Sequence, residues 1–372
     1  MEANSEKWIL QLCHGYSPPF DDVARQWRSL FDGLKDNVLT VFLTGSPDED
    51  VKKLVGGNVE FLGFKSKDLR GLKRKQIRAI KALHQQYQFQ FAIAHRYKSI
   101  YIARHLPGID VIGVSHAYGV YDRFWRKRYV MKHSDRLKLA GVSDAIRDDA
   151  RQALPGFPKD SIQTVYNHVD VKRLKDGLFS REEARDRLGL STSDFVVGNV
   201  GRLHPDKDQS TLIKAFAAAM PDMPNARLVI LGEGRLRSAL EQEVRDLEID
   251  AGVELLGRVP EAYRYFRAFD VFVLSSDYEP FGMVLLEAMV AGVSIISSSC
   301  GGAPEVLGEA GIFFPVSDER VLSMRMVEAF REGEHARKAR TENLQERLKD
   351  VFSDEAVRKS FSLLREQWGL SD

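Results

Sequence analysis

The stretch from Ser275 to Glu305, SSDYEPFGMVLLEAMVAGVSIISSSCGGAPE, combines a polar turn, the start of a helix and a glycine-rich loop. The apolar run 272–274 before it is typical of the end of a buried strand. Pro280 suits the first position of a helix, and the apolar residues after it recur at helical spacing until Gly292. We therefore predict a strand, a turn and then a helix that begins at Pro280.

Two carboxylates belong to this predicted helix. Glu279 precedes its first turn, and Glu287 lies about two turns further on, roughly 10 Å away at about 1.5 Å per residue. Carboxylates accept hydrogen bonds from paired hydroxyls, and the free amides of a helix start attract anions. The layout suits a sugar joined to a nucleotide through a diphosphate, but two glutamates at this spacing are also common on an ordinary surface helix.

The complete string is more specific than the spacing of its glutamates. Pro-Phe-Gly follows Glu279, and Gly-Gly-Ala-Pro-Glu closes the stretch after Glu287. The pattern resembles the signature of retaining family-4 glycosyltransferases of the GT-B fold. The resemblance implies an α/β protein with two Rossmann-like doubly wound domains facing across a cleft. It also implies that a nucleotide-sugar donor is bound by a set of residues along this stretch. They are Glu279, Phe281, Gly282, Met283 and Glu287.

Short apolar runs alternate with helical patterns along both halves of the chain, as in parallel, doubly wound sheets. The length of 372 residues is that of two domains. We expect an N-terminal acceptor-binding domain over residues 1–170 and a C-terminal nucleotide-sugar-binding domain over residues 171–352. The resemblance implies that a last helix, residues 353–372, crosses back to the first domain.

Composition narrows the class of protein. Cys13 and Cys300 are the two cysteines, and they are too far apart in sequence for a zinc motif, so we expect buried thiols in a reducing compartment. No apolar run is long enough for a membrane span and the N-terminus has no signal-peptide pattern, which predicts a cytoplasmic protein. Residues 1–177 carry 30 Lys and Arg against 20 Asp and Glu, whereas residues 178–372 carry 24 against 33. The basic half is expected to meet an anionic partner.

A second motif follows the strand-like run that ends at Gly201. Arg202 can bind phosphate oxygens through its fork of N–H groups, and Lys207 adds a point charge. Both side chains are also compatible with a plain surface turn. The string GRLHPDKD resembles the pyrophosphate clamp of the same family, which implies that Gly201 lines the donor site and that both cations stabilise the departing diphosphate. The resemblance also assigns base recognition to main-chain groups at Arg258 and Val259.

Histidines follow two of the predicted strands of the first half, at positions where ligands bind in doubly wound sheets. His95 and His116 are both structural candidates by position alone. The segment VIGVSHAYGVYDRF resembles the family's strand end whose histidine reaches the donor sugar, which implies that role for His116. The loop HGYSPPF after the first strand stands where the family contacts the acceptor, which implies acceptor-side roles for Gly15 and Tyr16.

We expect neither a metal nor an organic cofactor. One Asp-x-Asp string, at 48–50, falls in a predicted surface loop, and in the other, at 206–208, the intervening lysine repels a cation. The segment 232–234 lacks the third glycine of a dinucleotide fingerprint, so NAD binding is weakly supported.

The helical pattern from Lys65 to Tyr87 carries eight Lys and Arg residues among regularly spaced apolar ones. It is equally compatible with a solvated lysine-rich face and with contact to anionic lipid headgroups or a phosphorylated acceptor. The aromatic and basic segment 121–129, YDRFWRKRY, favours a peripheral membrane contact at the inner face of the cytoplasmic membrane. No motif of RNA or DNA recognition accompanies these patches.

We therefore predict a retaining hexosyltransferase that uses a nucleotide diphosphate sugar, UDP-linked first and GDP-mannose second. The acceptor is expected to be a glycan or a lipid-linked glycan, as in lipopolysaccharide or other surface polysaccharide synthesis. Catalytic roles fall to His116, Arg202, Lys207 and Glu279. Both same-face attack and a covalent relay fit the sequence, and same-face attack is favoured because no second carboxylate follows a predicted strand near His116, Asp122 being the nearest. A sugar-nucleotide epimerase or hydrolase, and a non-catalytic binding partner on the same fold, are the alternatives.

Overall fold

The computed structural model describes residues 7–16, 20–34 and 37–370. The chain divides into two compact units, the first formed by Met1–Asn167 with Asp354–Asp372 and the second by His168–Ser353. The sequence analysis set the boundaries after residues 170 and 352, and its assignment of acceptor and donor binding to the two domains stays a prediction. Each unit is an α/β domain around one parallel sheet, which confirms the predicted fold class.

In the described residues of the first unit, seven parallel strands lie in the order β3-β2-β1-β4-β5-β6-β7. Helices connect the strands. The strands are β1 (Trp8–Cys13), β2 (Asn37–Thr44), β3 (Asn58–Phe64), β4 (Phe91–His95), β5 (Asp110–Ser115), β6 (Leu137–Gly141) and β7 (Ile162–Thr164). The helices are α1 (Phe20–Ser29), α2 (Glu49–Val55), α3 (Arg74–Tyr87), α4 (Arg96–Ala103), α5 (Phe124–Lys132) and α6 (Asp144–Ala153). The strand order reverses between β1 and β4, so the loops that follow these two strands lie where such sheets bind ligands.

The second unit has a six-stranded parallel sheet in the order β10-β9-β8-β11-β12-β13. Its helices are α7 (Val171–Gly177), α8 (Arg181–Arg187), α9 (Gln209–Ala219), α10 (Arg237–Asp246), α11 (Met283–Ala291), α12 (Ala303–Leu307), α13 (Glu319–Arg331) and α14 (Glu334–Arg347). Its strands are β8 (Phe195–Val200), β9 (Ala226–Leu231), β10 (Val253–Gly257), β11 (Val271–Leu274), β12 (Ser294–Ser298) and β13 (Ile312–Phe314). The order reverses between β8 and β11, and the two motifs of the sequence analysis follow these two strands.

The last helix, α15 (Asp354–Gln367), belongs to the first unit although it follows the second in sequence. Phe361 packs edge-on against Trp27 and Phe31, with ring centroids 5.7 and 5.8 Å away. The indole N–H of Trp368 donates to the carbonyl of Asp160 at 2.9 Å. These aromatic contacts hold the end of the chain against the first sheet.

Two predicted helices begin later than the sequence indicated. The basic helix starts at Arg74 and not at Lys65, because Gly71 and Lys73 adopt positive φ angles of 62° and 50°. The helix expected from Pro280 starts at Met283. Gly282 has a φ of 98°, which is incompatible with a helical residue, so the Pro280 segment is a loop.

Strand β12 was not predicted. Its sequence, SIISS, contains three serines, which favour turns, but all five residues are buried. Ser298 donates its hydroxyl hydrogen to the carbonyl of Ser276 at 2.5 Å, so one of these polar groups links β12 to the exit of β11.

Candidate functional site

The carboxyl ends of β8 and β9 approach each other unusually closely in the second unit. A Cβ atom at Gly232 would lie 1.7 Å from the carbonyl oxygen of Gly201, and one at Gly234 would lie 2.3 Å from the carbonyl oxygen of Leu203. The amide of Gly232 donates to the carbonyl of Gly257 at 2.8 Å, which ties in the end of β10. Glycine is therefore required at 232 and 234 to bring three strand ends together.

Lys207 and Glu279, which are separated by 72 residues, form an ion pair at this edge of the sheet. The Nζ of Lys207 donates to Oε2 of Glu279 at 2.7 Å, and the side chains are 19% and 9% exposed. The hydroxyl of Ser276 donates to the same carboxylate oxygen at 3.4 Å. The hydroxyl of Ser275, directly after β11, donates to the main-chain carbonyl of Lys207 at 2.8 Å. This bond holds the turn that contains Lys207 against the end of β11.

Glu279 lies on a loop and not at the N-terminus of a helix, which corrects the sequence prediction. The amide of Gly302 donates to the main-chain carbonyl of Glu279 at 2.9 Å. A Cβ at Gly302 would lie 2.7 Å from the carbonyl oxygen of Pro280, so the backbone of Gly302 closely approaches this loop. Phe281 is buried against Phe352, with ring centroids 5.7 Å apart, and its side chain therefore anchors the loop in the core.

Arg202 does not join the Lys207 and Glu279 pair. Its guanidinium is largely exposed and donates to Asp206 at 3.2 Å, four residues along the same turn. Asp206 also contacts Nδ1 of His204. Of the two cations expected to hold a diphosphate, the structure brings only Lys207 against the carboxylate of Glu279.

The remaining predicted donor residues lie along α11 and after β10. Gly282 precedes α11, Met283 is its first residue, and Glu287 is half-buried in its second turn. Arg258 is exposed and Val259 half-buried directly after the last residue of β10. Their proposed contacts with a nucleotide and a ribose stay predictions.

In the first unit, His95 and His116 lie side by side at the ends of β4 and β5. Nδ1 of His95 is 3.1 Å from Nε2 of His116, and the rings are stacked with centroids 5.3 Å apart. Nε2 of His95 is 3.3 Å from Nε2 of Gln11. Trp27 packs edge-on against His95 at 5.5 Å. The two histidines, which were separate candidates in the sequence, therefore form one cluster in which His95 is buried and His116 is half-buried.

Burial determines the charge of this cluster. It lowers the pKa of His116 to about 3, with a further contribution from the positive charge of Arg96. It also holds the pKa of His95 well below the ordinary value, and His116 and Arg96 act in the same direction. Both imidazoles are therefore neutral at physiological pH.

The acceptor-side residues of the sequence analysis follow β1. A Cβ at Gly15 would lie 2.6 Å from Oγ1 of Thr44, so a glycine fits this position. The ring of Tyr16 packs edge-on against Phe42 and Phe61, with centroids 5.7 and 5.5 Å away. Tyr16 is thus anchored in a small hydrophobic cluster beside the end of β1. The prolines of the same loop, 18 and 19, lie outside the described residues.

Several carboxylates considered for a metal have structural partners instead. Asp48 accepts from the amides of Asp50 and Val51 at the start of α2, and Asp208 accepts from Thr211 at the start of α9. Across residues 7–16, 20–34 and 37–370, no group of three His, Cys, Asp or Glu is arranged to hold a metal ion. In the same residues, no helix is long and apolar enough to cross a bilayer.

Sequence reasoning missed Gln11, Ser276 and the role of Gly232. Gln11 stands in a strand of otherwise apolar residues, WILQLC, and a lone polar residue in a buried strand is the one pattern that could have indicated it. Ser276 lies three residues before Glu279, in a segment that looked like an ordinary turn. The partner of Gly232 is a carbonyl 31 residues away along the chain, so no local pattern reports its function.

Comparison with known proteins gives a family match over part of the chain. Residues 180–361 match the family of glycosyl transferases group 1. N-acetyl-alpha-D-glucosaminyl L-malate synthase of Bacillus anthracis is 27% identical over 234 residues, which cover 62% of this chain and 59% of that protein. Alpha-monoglucosyldiacylglycerol synthase of Streptococcus pneumoniae is 25% identical over 311 residues, which cover 76% of this chain and 69% of that protein. Over the first two curated relatives, the chain spans only 59% and 39% of their own length.

The fold has solved counterparts. The crystal structure of Anabaena Alr3699/HepE in complex with UDP and glucose superposes with a TM-score of 0.79 and 19% identity, over 96% of this chain and 99% of that one. At this identity the likeness concerns the fold, and it agrees with the two doubly wound sheets described above. Residues 180–361 are therefore similar to the glycosyl transferases group 1 family, and the chain has the GT-B fold.

Proposed function

We propose that the protein transfers a hexosyl unit from a nucleotide diphosphate sugar to an acceptor hydroxyl, with retention at the anomeric carbon. The ion pair between Lys207 and Glu279 carries the proposal. It places a cation 2.7 Å from a carboxylate that can accept hydrogen bonds from hydroxyls. Both groups lie at the ligand-binding edge of the second sheet. The similarity of residues 180–361 to the glycosyl transferases group 1 family supports glycosyl transfer. UDP is the first choice of nucleotide and GDP the second.

The chemistry follows from the donor and acceptor capacity of the pair. The ammonium of Lys207 has three N–H groups, so it can hold Glu279 and still donate to a phosphate oxygen. A cation in this partly buried position stabilises the negative charge that grows on the departing diphosphate. Glu279 accepts from sugar hydroxyls and favours positive charge at the anomeric carbon. Arg202 adds long-range attraction for the diphosphate, and no metal is required by this scheme.

The experiment follows the fate of a labelled UDP-hexose and a labelled GDP-hexose with and without glycan acceptors. We expect an acceptor-dependent product with the donor's anomeric configuration, and much less of it from Glu279→Gln. Free sugar or an altered nucleotide sugar in the absence of acceptor contradicts the proposal and favours a hydrolase or an epimerase. No turnover of either donor, combined with tight nucleotide binding, favours a non-catalytic binding partner.

Nucleotide binding can be measured before any acceptor is known. A ligand that binds only the folded state stabilises it by about 2.7 kcal/mol at a hundredfold excess over its dissociation constant. We expect UDP or a UDP-sugar to give this shift in thermal unfolding, and GDP a smaller one. The opposite order assigns GDP as the nucleotide of the donor.

We further propose same-face attack, in which the leaving phosphate takes the proton of the acceptor. A covalent relay needs a carboxylate nucleophile, and two carboxylates lie beside Gly119, three residues after His116. Asp149 accepts from the amide of Gly119 at 3.0 Å, and Asp122 is exposed beside the same glycine. A glycosyl adduct found by mass spectrometry on either aspartate overturns same-face attack.

The acceptor is proposed to be lipid-linked or phosphorylated, as in lipopolysaccharide core or another surface glycan, at the inner face of the cytoplasmic membrane. Three large apolar side chains of the first unit support membrane contact, because Leu72, Phe124 and Trp125 are 61%, 65% and 75% exposed. Leu72 precedes α3, and the two aromatic residues open α5.

The beginnings of α3 and α5 are brought together by an aromatic cluster on α4 and α5. Nζ of Lys73 lies 4.8 Å from the ring of Tyr101, and the guanidinium of Arg126 lies 4.8 Å from the ring of Tyr97. The ring of Tyr129 joins them, 5.0 Å from Tyr101. Exposed apolar groups therefore flank fixed cations, a combination that favours an anionic bilayer surface.

Vesicle flotation tests this contact. We expect binding to vesicles with anionic phospholipid and little binding to neutral phosphatidylcholine vesicles. Phe124→Ala with Trp125→Ala should weaken the anionic binding without a change in thermal stability, because both side chains are largely exposed. Leu363→Ala, another exposed apolar residue of the first unit, is the matched control. Equal binding of the double variant and the control contradicts the assignment of this surface.

A further inference from the structure

A line of buried polar side chains leads to His116 through the sheet of the first unit. Gln11 of β1 is fully buried and contacts Thr40 of β2, the carbonyl of Ala24 on α1 and the imidazole of His95. His95 in turn contacts His116. None of these groups has a role in the donor chemistry described above except His116, which the family resemblance assigns to the donor sugar.

The direction of every hydrogen bond in this line is determined by one carbonyl. The side-chain nitrogen of Gln11 lies 3.0 Å from the carbonyl oxygen of Ala24, which can only accept. The amide oxygen of Gln11 accepts from the hydroxyl of Thr40 at 3.2 Å. A rotated amide would set two oxygens against each other in a buried position, which is strongly unfavourable. The nitrogen of Gln11 is therefore the group that faces His95.

The protonation of both histidines follows from this orientation. Gln11 donates to Nε2 of His95 at 3.3 Å, so this nitrogen carries no proton. A neutral imidazole has one N–H, and in His95 it must therefore be on Nδ1. That N–H donates to Nε2 of His116 at 3.1 Å, so Nε2 of His116 is an acceptor in its turn.

We propose that Gln11 and His95 are positioning residues that hold His116 as a neutral imidazole with its proton on Nδ1. In this state the single N–H of His116 is on Nδ1, and its Nε2 lone pair is occupied by His95. His116 is thereby excluded from acting as a general base through Nε2, and it meets a sugar hydroxyl or a carbonyl as a neutral donor. The part of the inference that concerns the sugar rests on the proposed function, whereas the tautomer does not.

Two further observations agree with a neutral, single tautomer. A proton added to either ring would bring two N–H groups face to face between His95 and His116 or between Gln11 and His95, and Arg96 disfavours an additional positive charge there. The edge of Trp27 covers His95, and Trp27 itself is 1% exposed. Water is therefore kept away from the inner part of the line, and the hydrogen bonds have no solvent competitor.

Nuclear magnetic resonance of the full chain, labelled with ¹⁵N in histidine, reads the tautomer directly and needs no substrate. We expect two-bond ¹H–¹⁵N correlations of His116 and His95 at pH 7 to show protonated Nδ1 and unprotonated Nε2. Assignment comes from His95→Asn and His116→Asn. A proton on Nε2 of His116, or a charged ring at pH 7, overturns the inference whatever the protein transfers.

Two substitutions of His95 separate positioning from mere space filling. Asparagine has an amide nitrogen at the place of the imidazole Nδ1 and can still donate to His116, whereas the amide of glutamine reaches the place of Nε2 and cannot. We expect His95→Asn to keep the Nδ1 tautomer of His116, and His95→Gln to release it to a mixture. If both variants give the same His116 spectrum as the unaltered chain, His95 has no positioning role.

Activity gives the second readout. We expect His95→Gln to lower kcat about tenfold with little change in KM for the donor, and His95→Asn to stay close to the unaltered chain, as for one misdirected hydrogen bond in the transition state. A fixed tautomer with no difference in kcat between the two variants overturns the sugar contact but leaves the tautomer standing. Loss of transfer in all forms, with the expected spectra, refutes the proposed function alone.

Discussion

The two units carry their candidate residues at the same place in the fold but in opposite electrostatic states. In the second unit, a formal cation and a formal anion, Lys207 and Glu279, meet at the reversal point of the sheet. In the first unit, the corresponding edge holds two imidazoles that burial keeps neutral. One edge therefore suits the charges of a diphosphate and the other suits directional hydrogen bonds to uncharged hydroxyls.

The difference also separates what local sequence encodes from what the fold assembles. Lys207 and Glu279 each stand in a compact motif after a strand, with recognisable neighbours. The hydrogen-bonded line from Gln11 to His116 draws single residues from β1, β2 and β4 and from the position after β5, and of these only His116 stands in a recognisable segment. Substitutions at the two edges should accordingly differ in kind, with charge effects on activity at one and tautomer and pH effects at the other.

Removal of the Lys207 ammonium should have the largest effect on activity. We expect Lys207→Ala to lower the rate of glycosyl transfer about 10²- to 10³-fold, because a preorganised group that stabilises developing negative charge is worth this much. The variant also leaves the carboxylate of Glu279 without its ion pair. Initial rates with the UDP-sugar and acceptor provide the measurement. Lys214→Ala removes an ordinary surface partner of Glu243 and should stay within about twofold.

The backbone beneath the charged edge should be the next most sensitive feature. We expect Gly232→Ala to destabilise the second unit by about 2–4 kcal/mol, since its Cβ would overlap the carbonyl of Gly201 and two strand ends would have to separate. Gly201→Ala is the matched control, because the nearest atom to its Cβ would be 3.8 Å away and its φ is not positive.

Hydrogen exchange of the β8 and β9 peptides in the full chain measures both variants. Faster exchange is expected for Gly232→Ala and near-normal exchange for Gly201→Ala. Equal effects would mean that the close approach of the two strand ends is not the reason for glycine at 232.

Much of the fold and part of the site could be predicted from the sequence. Most strands appear in the sequence as apolar runs, such as WILQLC in β1 and ARLVIL in β9. The serine-rich β12 and the late start of α11 could not be predicted. Burial of polar residues depends on tertiary partners such as Ser276 in the first case, and a positive φ at Gly282 decides the second.

The same limit applies to the site. The motifs indicated that Lys207 and Glu279 belong to one site, and the structure brings them together. They also grouped Arg202 with Lys207, yet the structure pairs Arg202 with Asp206. The stacking of His95 on His116 depends on strand order, because β4 and β5 pair in register from Phe91 to His95. Strand order is a property of the whole sheet.

Acid should destabilise the first unit through His95 and His116. The pKa of His116 is lowered to about 3 and that of His95 is also lowered, so the unfolded chain binds more protons than the folded chain below about pH 6.5. The contribution of the two neutral histidines to the free energy of unfolding is fully present above that pH. It is lost as the pH falls, by up to about 1.4 kcal/mol per pH unit for each histidine.

Tryptophan fluorescence reports this loss in the first unit alone, since all four tryptophans, at 8, 27, 125 and 368, belong to it. Urea unfolding should show the free energy of unfolding falling between pH 6.5 and pH 4.5. The fall should be shallower for His95→Asn with His116→Asn than for the unaltered chain. Identical slopes would mean that carboxylates, and not these imidazoles, dominate the acid response of the unit.

The smallest effect is expected from Thr40→Val, which distinguishes stability from orientation within the neutral edge. Valine fills the same space but removes the hydroxyl that donates to the amide oxygen of Gln11, so a buried acceptor loses its partner. The free energy of unfolding should fall by about 1–2 kcal/mol in tryptophan-detected urea unfolding. The amide of Gln11 should nevertheless keep its orientation, because its nitrogen still donates to the carbonyl of Ala24. The tautomers of His95 and His116 should therefore be unchanged in the ¹⁵N spectra of this variant. A change of tautomer on loss of the threonine hydroxyl would mean that Thr40, and not the carbonyl of Ala24, determines the orientation of the Gln11 amide.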